Sequence, residues 1–210
     1  VCDGMGGHAA GEVASSIAVE TIAKTAPQSA DAARLAAAVE AANAAVIEAA
    51  LNGLGKPGMG CTATCAYIEN DTLAIAHVGD SRAYLLHEGT LIRVTRDHSY
   101  VEELVDAGEI TADEARVHPN RSVITRALGS DPAMYADHFT LHIEEGDRLI
   151  LCSDGLSSMI PDSDIENIAT QSSTAQICVD NLVDAALAAG GHDNVTVVVV
   201  DLVDDGVMRE

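Results

Sequence analysis

Three acidic dipeptides, far apart in the sequence, hold the side chains that are best suited to chemistry. Each borders an apolar, strand-like run, so its carboxylate lies where a strand gives way to a turn or a turn enters a strand. Carboxylate oxygens are the ligands that hard divalent cations such as Mg²⁺ and Mn²⁺ prefer. Any one dipeptide is weak support for a metal site, because Asp-Gly is also a common hairpin turn. The three are Asp3-Gly4, Asp154-Gly155 and Asp193-Asn194.

The elements that must position these residues follow from the spacing of apolar side chains. Helical spacing predicts helices over about 11–26, which Pro27 would end, and over 30–52, with Gly53 as the C-cap. The pattern then changes to a period of two, and strands run in groups that short helices interrupt. Such an order indicates an α+β fold and not a doubly wound parallel sheet. The remaining helices are predicted at 99–107, 111–117, 162–170 and 173–189, and the strands at 61–68, 72–78, 82–87, 90–95, 138–143, 147–152 and 194–203. Strands 138–143 and 147–152 are predicted to form a hairpin around Glu145-Gly146.

Composition excludes several classes of function. The 210 residues carry a formal net charge of −22 with only 11 Lys and Arg, so nucleic acid is not an expected partner. No apolar run is long enough to span a bilayer, and a signal peptide is not expected. The five cysteines form no CxxC pair, which predicts structural thiols in a reducing compartment and hence a cytoplasmic protein.

The sequence around the dipeptides resembles a known family. The segments occur in the order found in bacterial metal-dependent protein phosphatases of the PPM, or type 2C, family, and the resemblance extends from Val1 to about Val203. These segments are DGMGGHAAGEVAS, GCTAT, AHVGDSRAYLL, TRDHSYVEELVDAGEIT, HPNRSVITRALG, GDRLILCSDGL and GGHDNVTVVV.

The resemblance implies a fold of two antiparallel sheets packed face to face with helices on the outside, a four-layer α/β/β/α sandwich. It implies one catalytic domain over 1–210, with a flap subdomain at about 97–130 that helps to select substrates. Members of the family have an earlier stretch with a phosphate-binding Arg and a further acidic ligand. The chain is therefore expected to lack its N-terminal strands, and the sheet edge left exposed could mediate self-association.

By the same resemblance, the three aspartates are both the catalytic and the metal-binding residues. Asp3 would bridge two core Mn²⁺ or Mg²⁺ ions, Gly4 would offer its backbone carbonyl, and Asp154 and Asp193 would complete the cluster. Two such cations neutralise phosphate charge and acidify a shared water, which suits hydrolysis of a phosphomonoester. Because the chain itself is so acidic, attraction of a phosphorylated substrate must come from local cations.

A third, more weakly held ion is also implied. Its ligand would be Asp80 in the GDSR segment, with Ser122 of HPNRS as a weak addition or a flap residue. The alternative for Asp80 is a turn residue before Ser81. Histidines are not expected to be ligands of an oxygen-rich site, although several lie near the motifs: His8, His77, His98 and His192.

The resemblance thus predicts a Mn²⁺- or Mg²⁺-dependent protein Ser/Thr phosphatase that hydrolyses phosphoserine and phosphothreonine by direct attack of a metal-bound hydroxide. Its substrates would be phosphorylated proteins, the targets of Ser/Thr kinases. The alternative hypothesis is a catalytically weak or inactive metal-binding module that recognises phosphoproteins and regulates them. Metal-dependent turnover separates these two hypotheses.

Overall fold

The computed structural model describes residues 1–203, apart from the side chains of residues 8 and 9. The helices are α1 (His8–Thr25), α2 (Ala32–Leu51), α3 (Tyr100–Asp106), α4 (Ala112–Val117), α5 (Asp154–Ser157), α6 (Asp162–Gln171) and α7 (Ala175–Ala188). The strands are β1 (Gly4–Met5), β2 (Gly60–Cys61), β3 (Ala63–Glu69), β4 (Thr72–Val78), β5 (Arg82–His87), β6 (Thr90–Arg93), β7 (Asp137–His142), β8 (Arg148–Cys152) and β9 (Val197–Asp201). Among the described residues, no helix is both long enough and apolar enough to cross a membrane.

The chain divides into two compact units. The first unit consists of Val1–Ser81 and Arg96–Leu141, and the second consists of Arg82–Thr95 with the described residues from His142 onward. The single catalytic domain that the sequence suggests stays a prediction.

The two long helices of the first unit form where their sequences predict, and their ends differ from the predicted ones by one to three residues. The Asp31 side chain accepts a hydrogen bond from the Arg34 N–H and so caps the N-terminus of α2. At the other end, Gly53 adopts φ +78°, and the Leu54 N–H donates to the Ala49 carbonyl, which closes the helix with a Schellman motif. Small side chains let α1, α2 and strand β4 pack closely around a core rich in alanine.

The first unit contains a short strand pair and a three-stranded antiparallel sheet. Strand β1 pairs with β2, with Gly4 opposite Cys61, and the larger sheet has the order β3-β4-β7. The strand predicted at 61–68 is divided at Thr62, which lies between β2 and β3. There the Thr62 N–H donates to the Asp3 carbonyl, and the Asp3 N–H donates to the Thr62 side chain.

The predicted flap segment, 97–130, closes on itself at its base. The Thr125 N–H donates to the His98 carbonyl, and the next pair inward, Ser99 and Ile124, forms an isolated antiparallel bridge. Within the segment lie α3 and α4, and α4 begins with a capping box between Thr111 and Glu114. Its assignment as a flap subdomain stays a prediction.

The second unit is built on a four-stranded antiparallel sheet of order β6-β5-β8-β9. Strand β8 is buried along its whole length, and one face of the sheet packs against α5, α6 and α7. The β5–β6 hairpin turns through Glu88 and Gly89, both at positive φ, as its two-residue loop requires. The core residues of this unit include Tyr84, Ile150, Leu156, Ile165 and Leu182.

The predicted hairpin between strands 138–143 and 147–152 is wrong. These segments correspond to β7, which joins the sheet of β3 and β4, and to β8, which lies between β5 and β9. The turn at Gly146 does form, with φ +92°, but the Gly146 N–H donates to the Leu202 carbonyl. The Leu202 N–H in turn donates to the Asp147 carbonyl, so the turn continues the pairing of β8 with β9.

Candidate metal centre

Asp3 lies immediately before β1 and is fixed to the segment between β2 and β3. Its N–H donates to Thr62 Oγ1 at 2.9 Å, and the Thr62 N–H donates to the Asp3 carbonyl at 2.8 Å. The next residue, Gly4, lies against α1 so tightly that an added Cβ would be 2.2 Å from the Gly11 carbonyl oxygen. A glycine is therefore required at position 4, where the family resemblance implies a backbone ligand.

Asp80 lies in the turn after β4 and is largely buried, with 8% of its surface exposed. Gly79 before it has φ +109°, and a Cβ there would be 2.5 Å from Thr62 Cγ2. The hydroxyl of Ser81, after it, is 2.7 Å from Thr62 Oγ1. Thr62 therefore contacts both flanks of the Asp80 turn and also binds Asp3, so the first unit brings these two predicted ligands to one threonine.

The segments that carry Asp154 and Asp193 are joined in the second unit through the neighbours of these residues. Ser153 Oγ donates to the Asn194 carbonyl at 3.2 Å and accepts from the Thr196 N–H at 3.1 Å. A Cβ at Gly155 would be only 2.1 Å from the Asn194 carbonyl oxygen. The residues beside Asp154 therefore hold the residues that follow Asp193. Asp154 opens α5, a single helical turn that the sequence interpretation did not predict.

Ser122 is exposed in a turn of the predicted flap, where the Val123 N–H donates to the Asn120 carbonyl. Two histidines of the first unit, His77 and His98, are buried, and their ring centroids lie 4.9 Å apart. Burial lowers the pKa of His77 to about 4, so this ring is neutral at pH 7.

The donor set of the predicted ligands consists of carboxylates and one backbone carbonyl. This chemistry fits a hard divalent cation and does not fit zinc held by thiolate and imidazole. Among the side chains that the structure describes, which do not include that of His8, no three His, Cys, Asp or Glu form a group that could hold a metal ion. Asp3 and Asp80 belong to the first unit, and Asp154 and Asp193 belong to the second. The ligand set therefore stays a prediction.

Sequence reasoning missed Thr62, the residue that joins the Asp3 and Asp80 segments. It lies in the GCTAT segment, which contributes to the family resemblance, but a threonine between two strand-like runs gives no sign of its partners. The contact between the buried hydroxyls of Thr62 and Ser81 can be recognised only from the three-dimensional structure.

Comparison with known proteins finds relatives that all belong to one family of phosphatases. The Protein phosphatase 2C family profile matches residues 1–195. The serine/threonine protein phosphatase PstP of Mycobacterium tuberculosis is 43% identical over 210 residues, which cover 97% of this chain and 40% of PstP. The serine/threonine phosphatase stp of Listeria monocytogenes is 37% identical over 208 residues, which cover 96% of this chain and 82% of the relative. The chain thus spans less than half the length of PstP and most of the length of the Listeria protein.

Solved structures of phosphatases have the same fold as this chain. The crystal structure of M. tuberculosis PstP/Ppp superposes with a TM-score of 0.90 at 41% identity, covering 97% of this chain and 87% of that one. The PstP catalytic domain in complex with two manganese ions gives a TM-score of 0.87 at 40% identity, covering 97% and 86%. These similarities confirm the predicted PPM phosphatase-like α+β fold. From the family profile, the sequence identities and the shared fold together, this chain belongs to the protein phosphatase 2C family.

Proposed function

We propose that this chain is a Mn²⁺- or Mg²⁺-dependent phosphatase that removes phosphate from serine and threonine residues of proteins. One observation carries the proposal: in a chain of this family, each predicted carboxylate lies at the end of a strand or turn whose backbone is fixed by buried or partly buried hydrogen bonds. Thr62 does this for Asp3 and the Asp80 turn, and Ser153 does it for the segments of Asp154 and Asp193.

Asp3, the Gly4 carbonyl, Asp154 and Asp193 would hold the two core ions. When bound, such ions neutralise the charge of the phosphate and increase the acidity of the attacking water. The part played by the protein is to hold its oxygen donors in fixed positions before metal or substrate arrives. Sites built on strand ends and braced backbone suit that role better than mobile loops.

Three finer assignments belong to the same proposal. Asp80 would hold a third, weaker ion, supported by its burial in a turn that is linked through Thr62 to Asp3. The segment 97–130 would act as the flap beside the substrate, with Ser122 on its exposed surface. The substrates would be proteins phosphorylated by Ser/Thr kinases.

The place of action would be the cytoplasm. The support is that all five cysteines are free thiols in the structure, as expected in a reducing compartment. Self-association would use β3, the strand at one edge of the first sheet. On the outer side of this strand, the Thr64 N–H donates to the Val1 carbonyl and the Val1 amino group donates to the Thr64 carbonyl. Light scattering over a range of protein concentrations would test the self-association.

The test of function is hydrolysis of a phosphothreonine peptide by the purified chain. We expect turnover with Mn²⁺, loss of turnover with EDTA, and recovery when Mn²⁺ is added back. Asp154→Asn and Asp193→Asn should each lower kcat/KM on the order of 100-fold or more, because each removes charge from the metal site.

Asp184→Asn is the matched control, since it removes the same charge from an exposed position of α7. Its activity should equal that of the unaltered protein. Full activity of Asp154→Asn would contradict the ligand assignment. Binding of the phosphopeptide without any turnover would instead favour a regulatory recognition module.

A further inference from the structure

His98 makes two hydrogen bonds with one residue of the turn that carries Asp80. The backbone N–H of His98 donates to the Gly79 carbonyl at 2.7 Å. The backbone N–H of Gly79 donates to Nδ1 of the His98 ring at 3.0 Å. Because a backbone N–H can only donate, Nδ1 must be unprotonated here. The ring proton of the neutral imidazole therefore lies on Nε2, which is 3.1 Å from Asp137 Oδ2 and donates to it.

These two bonds fix the peptide planes on both sides of Gly79. Its φ of +109° is accessible to glycine and strained for other residues, so the turn depends on being held in this conformation. His98 is 3% exposed, and its contacts with Gly79 are closed to water. Asp80 follows directly in the chain, and any rotation of the Gly79 peptide would move its carboxylate.

His98 also belongs to the base of the predicted flap. Its carbonyl accepts from the Thr125 N–H at 2.8 Å, which joins the two ends of the segment 97–130. The carboxylate of Asp137, which binds the His98 ring, also accepts from Arg126 Nη1 at 2.5 Å. The Arg126 guanidinium in turn lies over the ring of Tyr135, 4.1 Å from its centroid. His98 therefore connects the Asp80 turn and Asp137 of β7 through its ring, and the other end of the flap segment through its backbone carbonyl.

We propose that His98 is a positioning residue that orients Asp80 for a weakly held divalent cation and ties that orientation to the flap base. This inference rests on the proposed role of Asp80. The alternative is that His98 is a buried histidine that only stabilises the fold. A positioning role requires the hydrogen-bond acceptor at Nδ1 and affects metal binding through Asp80. A purely structural role requires neither the acceptor nor Asp80.

Two substitutions separate the functions of the two ring nitrogens. In His98→Asn, the amide oxygen can replace Nδ1 as the acceptor for the Gly79 N–H, while the contact with Asp137 is lost. In His98→Gln, the longer amide can still donate to Asp137, but no acceptor remains near Gly79. Ile165→Val, a buried truncation in the second unit, is the control for a simple loss of stability.

The experiment is calorimetric titration of the 210-residue chain with Mn²⁺, beside hydrolysis of a phosphothreonine peptide over a range of Mn²⁺ concentrations. We expect His98→Gln to weaken the weakest Mn²⁺-binding step about tenfold, since it removes one buried hydrogen bond. His98→Asn and Ile165→Val should keep that step close to its original affinity. In an Asp80→Ala background, His98→Gln should have no further effect on Mn²⁺ binding.

Equal effects of Asn and Gln at position 98, or an undiminished effect of Gln without Asp80, would overturn the positioning role. It would also be overturned if the Asp80→Ala chain bound Mn²⁺ with an unchanged isotherm, because Asp80 would then hold no ion. Failure of the proposed function is seen separately, as Mn²⁺ binding without hydrolysis by the unaltered chain. In that case the calorimetric comparison still decides the role of His98.

Discussion

Asp3 and Thr62 are joined by a reciprocal pair of hydrogen bonds, in which each backbone N–H donates to an oxygen of the other residue. One of these bonds uses the side chain of Thr62, whose Oγ1 also contacts the Ser81 hydroxyl. A single buried hydroxyl thus supports both predicted ligand segments of the first unit.

Replacing that hydroxyl should affect both stability and metal binding. Thr62→Val keeps the shape of the side chain but leaves the Asp3 N–H and the Ser81 hydroxyl without their partner, which should cost about 1–3 kcal/mol. Urea unfolding measures this loss, and titration with Mn²⁺ should show weaker binding. Thr62→Ser retains the hydroxyl and is the control. Unfolding curves and Mn²⁺ affinities of Thr62→Val that matched those of the unaltered chain would contradict the role given to Thr62.

Gly155 should tolerate no side chain. Its Cβ position is 2.1 Å from the Asn194 carbonyl oxygen, so Gly155→Ala must push Asn194 away and move Asp193 with it. We expect a loss of about 1–3 kcal/mol in stability and a fall in Mn²⁺-dependent turnover. The nearby Ser158→Ala, also in the segment after β8, should change neither quantity. A fully active Gly155→Ala chain would show that the position of Asp193 does not matter for catalysis.

The buried His77 should make the fold sensitive to acid. Burial lowers its pKa from 6.5 to about 4, so in the unfolded chain this ring binds a proton at a higher pH than in the folded chain. Its contribution to stability is therefore present above pH 6.5 and is lost as the pH falls towards 4. Between pH 7 and pH 5 this ring should account for a fall of about 2 kcal/mol in the free energy of unfolding.

The measurement is urea unfolding of the unaltered chain and of His77→Asn at both pH values. The variant loses the bond from His77 Nε2 to the Arg96 carbonyl, so its stability at pH 7 is lower, but its dependence on pH should be weaker. Identical pH dependence in the two chains would show that His77 does not titrate differently in the folded and unfolded states.

Arg148 should be essential to the second unit. It is 8% exposed and donates to the Asp201 carboxylate and to the carbonyls of Ala169 and Ser172. Arg148→Met leaves these acceptors unpaired and should cost about 3 kcal/mol in urea unfolding. Arg34→Met is the control, because its ion pair on α2 is exposed and should contribute less than about 1 kcal/mol.

Much of the fold could be predicted because local signals and tertiary structure agree. Helix α2 has an apolar face, an N-cap aspartate and a C-terminal glycine, and strand β4 was predicted with its observed bounds, Thr72–Val78. The pairing of β7 was not predictable from its turn. A short loop at Gly146 suggests a hairpin, but the partner of β7 is β4, far away in sequence. Periodicity gives the faces of a strand and not the identity of its neighbour.

In the candidate site, too, some residues could be predicted from the sequence and others could not. The carboxylates are visible in the sequence because Asp beside Gly or Asn at the end of an apolar run is a distinct pattern. The residues that hold them, Thr62, His98 and Ser153, resemble ordinary strand or loop residues until their partners are placed. His98 was set aside as a ligand, and the structure instead gives its ring two hydrogen-bond partners, the Gly79 N–H and Asp137.

The closed base of the segment 97–130 has a consequence for how this part of the chain can vary. Because the His98 carbonyl and the Thr125 N–H already meet, residues between them can be added or removed without separating the two ends. The entropy of closing such a loop grows slowly, by about 0.6 kcal/mol for each doubling of its length. The interior of this segment could therefore be replaced by a sequence of another length while the turn at Gly79 keeps its conformation.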